Sequence, residues 1–229
     1  MTPDISFFAE SLPLEINNEV ETFVEYIKRL HLNLNQHTEE LDYKNAVLIL
    51  VDAVLSMNRK YDTFVVPRIK LIKATKIETL DELKEKIKTE TVQGFCKIWQ
   101  YNHVSRVITL EHLVNKFLQI KGSLKTSNDL DALHLWGESS SVDDFKNFNV
   151  SGIGFTTFQY IRLMCGADTI KPDIYLKRSV KGAIGRTVTE AETVQIVESA
   201  AKQLDISARQ LDYAIWKYYS EMSRSSSIK

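Results

Sequence analysis

A short run of glycines is the part of this sequence best suited to chemistry. Gly152 and Gly154 flank Ile153 between two helical patterns, and this spacing predicts a tight turn that leaves backbone N–H groups free where the second helix begins. Such groups bind anions, above all phosphate, because the helix dipole places positive charge there. We therefore predict a phosphate-binding turn formed by Val150, Gly152, Ile153 and Gly154. The alternative is a helix–helix turn that uses the glycines for its shape alone.

A lone carboxylate follows this turn. Asp173 comes directly after Pro172, which fixes the entry of the chain, and opens the next helical pattern. A carboxylate kept ionised at such a site can stabilise developing positive charge, orient a water molecule, or accept its proton. Asp173 is therefore a candidate catalytic residue. An aspartate at a helix start is most often only an N-cap, and that structural role is the alternative.

Basic side chains are concentrated in two parts of a chain whose net charge is −1. Positions 59–76 carry six bases against one acid, and positions 171–186 carry five against one. This asymmetry predicts a basic face on an otherwise neutral body. Lys177, Arg178 and Lys181 are candidates for contacts to phosphate groups. The alternative is an ordinary solvated surface.

The sequence argues against several other functional classes. Cys96 and Cys165 are too few for a disulfide framework or an iron–sulfur site and fall in apolar helical patterns, so we expect buried, reduced thiols. The five histidines show no ligand spacing, and no metal site is predicted. No apolar run approaches the roughly 20 residues that span a membrane. We expect a cytoplasmic protein, nucleoid-associated if bacterial, with no membrane partner; the sequence indicates no protein partner.

Helices must position these candidate residues, because helical periodicity dominates the chain and no segment shows strand alternation. The sequence thus predicts an all-α fold. The large aromatic side chains Trp99, Tyr101, Trp136 and Trp216 are expected to pack in its core, with the alternative that one or two of them line a pocket by stacking. The predicted helices cover residues 19–30, 43–57, 79–88, 92–101, 104–120, 128–136 and 155–165, and further helices begin at capping boxes that start at Ser141, Thr189 and Ser207.

The hairpin and the aspartate together resemble the helix-hairpin-helix DNA glycosylases, the HhH-GPD superfamily. The matching segments are Val150-Ser-Gly-Ile-Gly154 and Pro172-Asp-Ile-Tyr-Leu-Lys-Arg178. Arg178 matches the family arginine five residues past the aspartate. A weaker match, residues 50–58, resembles the family helix whose end carries a DNA-wedging polar residue. The similarity extends over roughly residues 46–186, and the missing cysteine set points to the branch without an iron–sulfur cluster.

The chain departs from the family pattern at three places. Ser151 stands where the family usually has proline, and Ile174-Tyr175 follows the aspartate where the family often has Thr-His. Bifunctional members carry a lysine nucleophile just after the hairpin, where this chain has Thr156. Lys171 is expected to lie on the wrong side of the helix start to replace that lysine.

The resemblance implies a two-lobed helical glycosylase-like fold in which residues 1–229 form a single unit. Residues from about 36 to 167 would form the lobe that carries the helix-hairpin-helix motif. Residues 1–35 and 168–229 would form the second lobe. Asp173 would lie at the mouth of a cleft between the two lobes.

The resemblance also implies partners and further site residues. Asn58 and Arg59 would be the DNA wedge, although a helix C-cap is an equal alternative for Asn58. A monovalent cation held by hairpin carbonyls would assist phosphate binding, and no other cofactor is expected. The partner would be duplex DNA that contains a lesion.

The resemblance and the chemistry of the residues agree on base excision. Cleavage of the N-glycosidic bond builds positive charge on the sugar, which a carboxylate such as Asp173 can stabilise. Because Thr156 cannot form a Schiff base, we expect a monofunctional glycosylase that releases a damaged or mismatched base and leaves the strand uncut. The alternatives are a non-catalytic helix-hairpin-helix DNA-binding protein and a helical scaffold without a nucleic-acid role.

Overall fold

A computed structural model describes residues 14–34 and 43–226 of the chain. Every regular element in these residues is helical and no strand occurs among them, which confirms the predicted all-α class. A π-helix, Tyr61–Val65, precedes α3, and a 3-10 turn, Val142–Asp144, precedes α7. The α-helices are α1 Leu14–Arg29, α2 Ala46–Leu55, α3 Val66–Ala74, α4 Leu80–Ile98, α5 Val104–Leu124, α6 Asp129–Ser139, α7 Phe145–Phe148, α8 Phe155–Met164, α9 Ile174–Ile184, α10 Glu190–Gln203 and α11 Ala208–Ser226.

The first hydrophobic cluster is built around α2, whose residues are all buried. Its side chains are apolar on every face except at Asp52, so α2 packs on all sides and runs through the middle of the cluster. Asn45 caps the helix by accepting two backbone N–H groups of the first turn at 2.8 and 3.3 Å. Helices α3, α5 and α8 contact α2. The buried residues of this first cluster run from Ala46 to Cys165.

The second hydrophobic cluster brings the two ends of the described chain together. Val20, Phe23 and Ile27 on α1 pack with residues of α9, α10 and α11. The buried residues of this second cluster fall at positions 20–27 and 170–219. The expected boundary between residues 35 and 36 lies outside the described residues.

A buried polar network joins the two clusters. Arg162 on α8 donates to Gln159 Oε1 at 2.6 Å and to the carbonyl of Ser140 at 2.6 Å. Gln159 Nε2 donates to Thr169 Oγ1 at 3.4 Å. Thr169 in turn donates to Glu198 of α10 at 2.6 Å. These pairings satisfy polar groups that burial would otherwise leave without partners, and they fix how α8 meets α10.

Several segments differ from the helices predicted from the sequence, and α1 begins at Leu14 rather than at residue 19. Residues 61–74, which the sequence shows only as a basic stretch, form the π-helix and α3, because basic residues surround the buried Ile69 and Ile72 and obscure the periodicity. The two predicted helices at 79–88 and 92–101 are one helix, α4, with a kink at Thr91, where φ is 60°. Helix α5 continues to residue 124 rather than 120.

Neither a membrane-spanning helix nor a metal-binding cluster occurs among the described residues. None of their helices combines the length and the apolar character that crossing a membrane requires. They contain no group of three or more His, Cys, Asp or Glu side chains that could hold a metal ion. Cys96 and Cys165 are free and buried, as predicted, and burial raises the pKa of the Cys165 thiol well above its usual range.

Candidate functional site

A cavity of about 1230 Å³ is lined by residues associated with both hydrophobic clusters. Tyr160 and Leu163 of the first cluster form part of its wall, as do Phe155 and Tyr175, which pack against the second. The site residues predicted from the sequence that this cavity brings together are Asn58, Arg59, Gly152, Gly154, Asp173 and Lys177. Those that do not line it are Val150, Ile153, Arg178 and Lys181.

The glycine turn is a tight connection between α7 and α8. Asn149 ends α7 in a left-handed conformation with φ 49°, and the Ile153 N–H donates to the Val150 carbonyl at 3.1 Å across the turn. Gly152 has φ 87°, and a Cβ atom there would collide with Thr109 Oγ1. Position 152 therefore requires glycine. The side chains of Val150 and Ile153 are buried in the first cluster and anchor the turn.

The start of α8 is open to the cavity. Gly154 precedes this helix without a side-chain cap. The first helical hydrogen bond runs from the Phe158 N–H to the Gly154 carbonyl at 2.9 Å, so the N–H groups of residues 155–157 have no partner within the helix. Residues 154–157 all line the cavity, and a Cβ atom at Gly154 would meet nothing within 4 Å. This end of α8 can therefore accept an anion.

Asp173 lines the cavity and also caps α9. Its Oδ1 accepts the N–H groups of Tyr175 at 2.8 Å and of Leu176 at 3.2 Å, so the structural role foreseen from the sequence is present. Both hydrogen bonds end on Oδ1, and capping leaves Oδ2 unused. Burial raises the pKa of the carboxyl, whereas the charge of Lys171 and the two capping N–H groups oppose that rise. One carboxylate can thus cap the helix and act on a ligand.

Lys171 shares the cavity wall with Asp173. Its Nζ lies 3.4 Å from Ser56 Oγ and 3.7 Å from the centroid of the Tyr160 ring. The segment that precedes Pro172 is not helical, so the geometry of a helix does not determine where this side chain points. The end of α2 and the middle of α8 form its surroundings, and no local sequence signal indicates them.

Asp212 on α11 is another carboxyl of the cavity wall, and the sequence analysis did not single it out. It is only 7% exposed, and its Oδ2 accepts the backbone N–H of Lys171 at 3.0 Å. Burial, and next the charge of Asp173, raise the pKa of this carboxyl to about 8. The sequence marks Asp212 only as an acidic residue that follows Leu211, in a helix whose apolar residues have the spacing of an ordinary core-facing side.

A cage of tyrosines holds the buried carboxylate of Asp52 beneath the cavity wall. Asp52 Oδ2 accepts the hydroxyl groups of Tyr43 and Tyr61, each at 2.8 Å. Asp52 Oδ1 accepts the hydroxyl group of Tyr160 at 2.9 Å. Burial raises the pKa of Asp52, and these hydrogen bonds counteract the rise. The cage joins α2, the π-helix and α8, and Tyr61 and Tyr160 also line the cavity.

The two predicted wedge residues lie at the cavity beyond the end of α2. Asn58 is exposed and left-handed, with φ 57°, the conformation that an asparagine adopts when it ends a helix. Arg59 donates to the hydroxyl of Tyr101 at 2.9 Å, and its guanidinium lies 5.3 Å from the centroid of the Phe64 ring. Both side chains therefore border the cavity, and Arg59 is held by aromatic neighbours.

Apart from Lys171, the basic residues of the stretch 171–186 either form ion pairs or face the solvent. Lys177 Nζ lies 3.6 Å from a carboxylate oxygen of Glu190 on the cavity wall. Arg186 forms ion pairs with Glu19 and Glu192 at 2.7 and 2.8 Å. Arg178 and Lys181 are exposed on α9, and they form no ion pair with any carboxylate in the part of the chain that the structure describes.

The half-buried ring of Trp216 lines the cavity, which is the alternative to core packing that the sequence left open. Tyr61 meets it edge to face at 6.3 Å between ring centroids, and Tyr213 stacks on it at 6.0 Å. Trp99 is fully buried in the first cluster, and Trp136 packs against that cluster, as predicted. The cavity therefore has an aromatic side formed by α11 and the π-helix.

Comparison with known proteins gives one family. Residues 76–220 match a family model described as Domain of unknown function (DUF8548). No curated protein and no solved structure gives a significant match. The matched segment covers more than half of the chain and includes the glycine turn, Lys171, Asp173 and Asp212. The chain therefore belongs to the family described as a domain of unknown function, DUF8548.

Proposed function

We propose that this protein is a DNA glycosylase that hydrolyses the N-glycosidic bond of a damaged or mismatched base in duplex DNA. One observation carries the proposal: the carboxylate of Asp173 and the open start of α8 line the same cavity. A glycosylase needs both features at one place, because it must hold the DNA backbone and stabilise charge on the adjoining sugar.

The proposed architecture is a two-lobed helical fold with a cleft between the lobes. The two hydrophobic clusters would be the cores of the lobes, the cavity would be the cleft, and α7, the glycine turn and α8 would be the helix-hairpin-helix motif. Buried residues of the first cluster lie within 46–165 and those of the second within 20–27 and 170–219. These ranges support the proposed division of the chain into one lobe of residues 36–167 and a second lobe formed by residues 1–35 and 168–229.

The cavity would receive a nucleotide turned out of the duplex. Its volume of about 1230 Å³ exceeds the roughly 300–1,000 Å³ of typical small-molecule pockets, which leaves room for a base, its sugar and water. The rings of Tyr61, Tyr213 and Trp216 offer stacking surfaces for the base. Asn58 and Arg59 would fill the gap that the nucleotide leaves in the duplex.

Asp173 would act on the sugar. As the C1′–N bond breaks, its electron pair leaves with the base and positive charge builds on the sugar ring. The ionised carboxylate would stabilise this charge and orient the water that attacks C1′, and it would accept the proton that this water loses. Since Thr156 offers no amine, water would be the group that displaces the base.

The free N–H groups at residues 155–157 would hold one DNA phosphate beside Gly152 and Gly154, and Lys177, Arg178 and Lys181 would add contacts to neighbouring phosphates. The monovalent cation that the resemblance implies would be held by carbonyls of this turn. One of these, the Val150 carbonyl, already accepts the Ile153 N–H, and the proposed reaction uses no cation.

Base release under single-turnover conditions tests the proposal. Duplex oligonucleotides with alkylated, oxidised, deaminated or mismatched bases are incubated with excess protein, and free base is quantified chromatographically. Asp173→Asn keeps a capping oxygen for α9 but removes the charge. We expect the wild-type chain to release a base from one substrate class and Asp173→Asn to lose that release. Asp143→Asn, which changes a carboxylate that is 84% exposed, is the matched control.

Equal release by Asp173→Asn and the wild type would disprove the assigned role. Because Asp173 is also an ordinary helix cap, a non-catalytic DNA-binding protein with the same turn is the second candidate function. That candidate predicts salt-dependent binding to abasic DNA with no base release from any substrate. Absence of DNA binding at low salt would rule out both candidates.

A further inference from the structure

One side of α11 forms a continuous part of the cavity wall. Its cavity-lining residues are spaced three or four positions apart, so they share one face of the helix; they are Arg209, Asp212, Tyr213, Trp216 and Ser220. The rings of Tyr213 and Trp216 stack with 6.0 Å between their centroids. A base that stacks on Trp216 therefore has its edge beside the residues one and two turns earlier, Asp212 and Arg209.

Arg209 is a cation that the fold does not neutralise. Its side chain forms no ion pair with a carboxylate of the described residues, and its Nε is buried without a hydrogen-bond partner among them. It also lies in the first turn of α11, which begins at Ala208, where the helix dipole opposes a positive charge. Because such a guanidinium group costs stability, a structural role does not explain it. Its N–H groups can donate to a ligand in the cavity.

Asp212 supplies a second donor beside Arg209. Its residue is buried, its Oδ2 accepts the Lys171 N–H, and no hydrogen bond from the described residues ends on its Oδ1. Burial, and next the charge of Asp173, raise the pKa of this carboxyl to about 8, although Lys171 and Arg209 oppose the rise. The carboxyl group is therefore mostly protonated at neutral pH. Since Oδ2 already acts as an acceptor, the O–H group at Oδ1 can donate to a ligand.

We propose that this face of α11 selects a base whose edge presents hydrogen-bond acceptors, namely a carbonyl oxygen and an unprotonated ring nitrogen. The inference rests on the proposed function, since it names the class of base that the cavity receives. Arg209 and Asp212 both act as donors, so an amino group at the same edge of the base would lose its hydration without gaining an acceptor. Deaminated bases, in which a carbonyl replaces an amino group, fit this face, whereas adenine and cytosine do not.

The two donors suit different acceptors of such a base. A guanidinium group presents parallel N–H groups, which match a purine carbonyl oxygen and the adjacent ring nitrogen N7. The single O–H group of Asp212 can donate to the second lone pair of a carbonyl oxygen. A site that donates hydrogen bonds to its ligand discriminates strongly against an analogue without the acceptors, because its own buried polar groups then stay unpaired.

Binding of free nucleobases tests this selectivity without requiring base release. Hypoxanthine and adenine differ by the exchange of a carbonyl for an amino group, and uracil and cytosine differ in the same way. Each base is titrated into the full-length chain while tryptophan fluorescence is recorded, and Trp216→Phe removes the reporter that lines the cavity. We expect hypoxanthine and uracil to bind at least about tenfold more tightly than adenine and cytosine.

Variants of α11 assign the preference to its two donors. Arg209→Met and Asp212→Leu should each reduce the preference at least about fivefold, because each removes a donor. Asp212→Asn should retain it, since the amide is neutral like the protonated acid and offers both an acceptor for the Lys171 N–H and an N–H donor for the base. Lys202→Met, at an exposed position of α10, is the matched control and should behave as the wild type. Thermal unfolding verifies that each variant is folded.

Base release from DNA provides a second measurement of the same preference. Each of the four bases is placed opposite a tetrahydrofuran residue, so that none of them is paired, and hypoxanthine and uracil should be the bases released. Equal binding within each pair, a preference for the amino bases, or binding of none of the four would overturn the inference. Preferential binding of hypoxanthine and uracil without base release from any substrate would support the selectivity and disprove the proposed hydrolysis, so the two failures are distinguishable.

Discussion

The carboxylate of Asp212 accepts the backbone N–H of Lys171, with 3.0 Å between the nitrogen and Oδ2. This hydrogen bond ties α11 to the segment that presents both Lys171 and Asp173. It also places a second carboxyl near Asp173, and the charge of Asp173 contributes to the raised pKa of Asp212. The C-terminal helix therefore determines the position and the electrostatics of the candidate site.

Asp212 should make the stability of the protein fall as the pH rises. Its pKa is about 8 in the folded state against an ordinary 3.8, so between these values the folded chain holds a proton that the unfolded chain has lost. The free energy of unfolding therefore falls from about pH 4 to about pH 8. Asp212→Asn keeps an acceptor for the Lys171 N–H and removes the titration.

Thermal unfolding at about pH 5 and about pH 9 measures this effect. The difference in melting temperature between the two conditions should be smaller in Asp212→Asn than in the wild type. Asp143→Asn, at an exposed position, should keep the wild-type difference. An unchanged difference in Asp212→Asn would show that another group is responsible for the pH dependence.

The two glycines of the turn should respond differently to alanine. Gly152→Ala should lower the free energy of unfolding by more than about 1 kcal/mol, because φ is positive and the new Cβ collides with Thr109. Gly154→Ala should cost under about 1 kcal/mol, since φ is −87° and the space is open. Urea unfolding distinguishes the two. Equal losses would contradict the observed geometry of the turn.

Removing the hydroxyl group of Tyr160 should destabilise the fold more than removing the hydroxyl group of Tyr43. Tyr160 donates to Asp52 Oδ1, whereas Tyr43 and Tyr61 both donate to Oδ2. Tyr160→Phe should therefore cost about 1–3 kcal/mol, and Tyr43→Phe less, because Tyr61 still satisfies the same oxygen. Chemical denaturation of both variants measures the order. A reversed order would mean that the two carboxylate oxygens are not satisfied as described.

Salt dependence should identify the side chains that contact DNA phosphates. If Arg178 and Lys181 bind phosphate, replacing either with glutamine should reduce the slope of log K against log salt by about 0.9. Arg186→Gln should leave the slope unchanged, because Glu19 and Glu192 already neutralise that side chain. Fluorescence anisotropy with an abasic duplex provides the titrations. A slope that changes equally in all three variants would argue against contacts at α9.

A helix end can be predicted from the sequence alone when the residues that cap it are its neighbours along the chain. Thr189 and Glu192 form the capping box that the sequence predicts, with hydrogen bonds of 3.1 and 2.7 Å. Asp173 caps α9 through N–H groups two and three residues ahead. Such contacts need no tertiary partner, so the residue types and their spacing suffice to predict them. The glycine turn is local in the same way, apart from its contact with Thr109.

The tertiary structure decided the surroundings of the titratable groups. Lys171 contacts Ser56, 115 positions earlier, and Asp52 binds Tyr160, 108 positions later. Helix periodicity shows Asp212 only as a neighbour of the core-facing residues of α11. No residue near Lys171 in the sequence indicates that this side chain lines the cavity. Desolvation and Coulomb interactions depend on distance in space rather than along the chain. The sequence therefore determined most of the helices, their local caps and the turn, whereas only the packing of α2, α8 and α11 determined which side chains share a cavity.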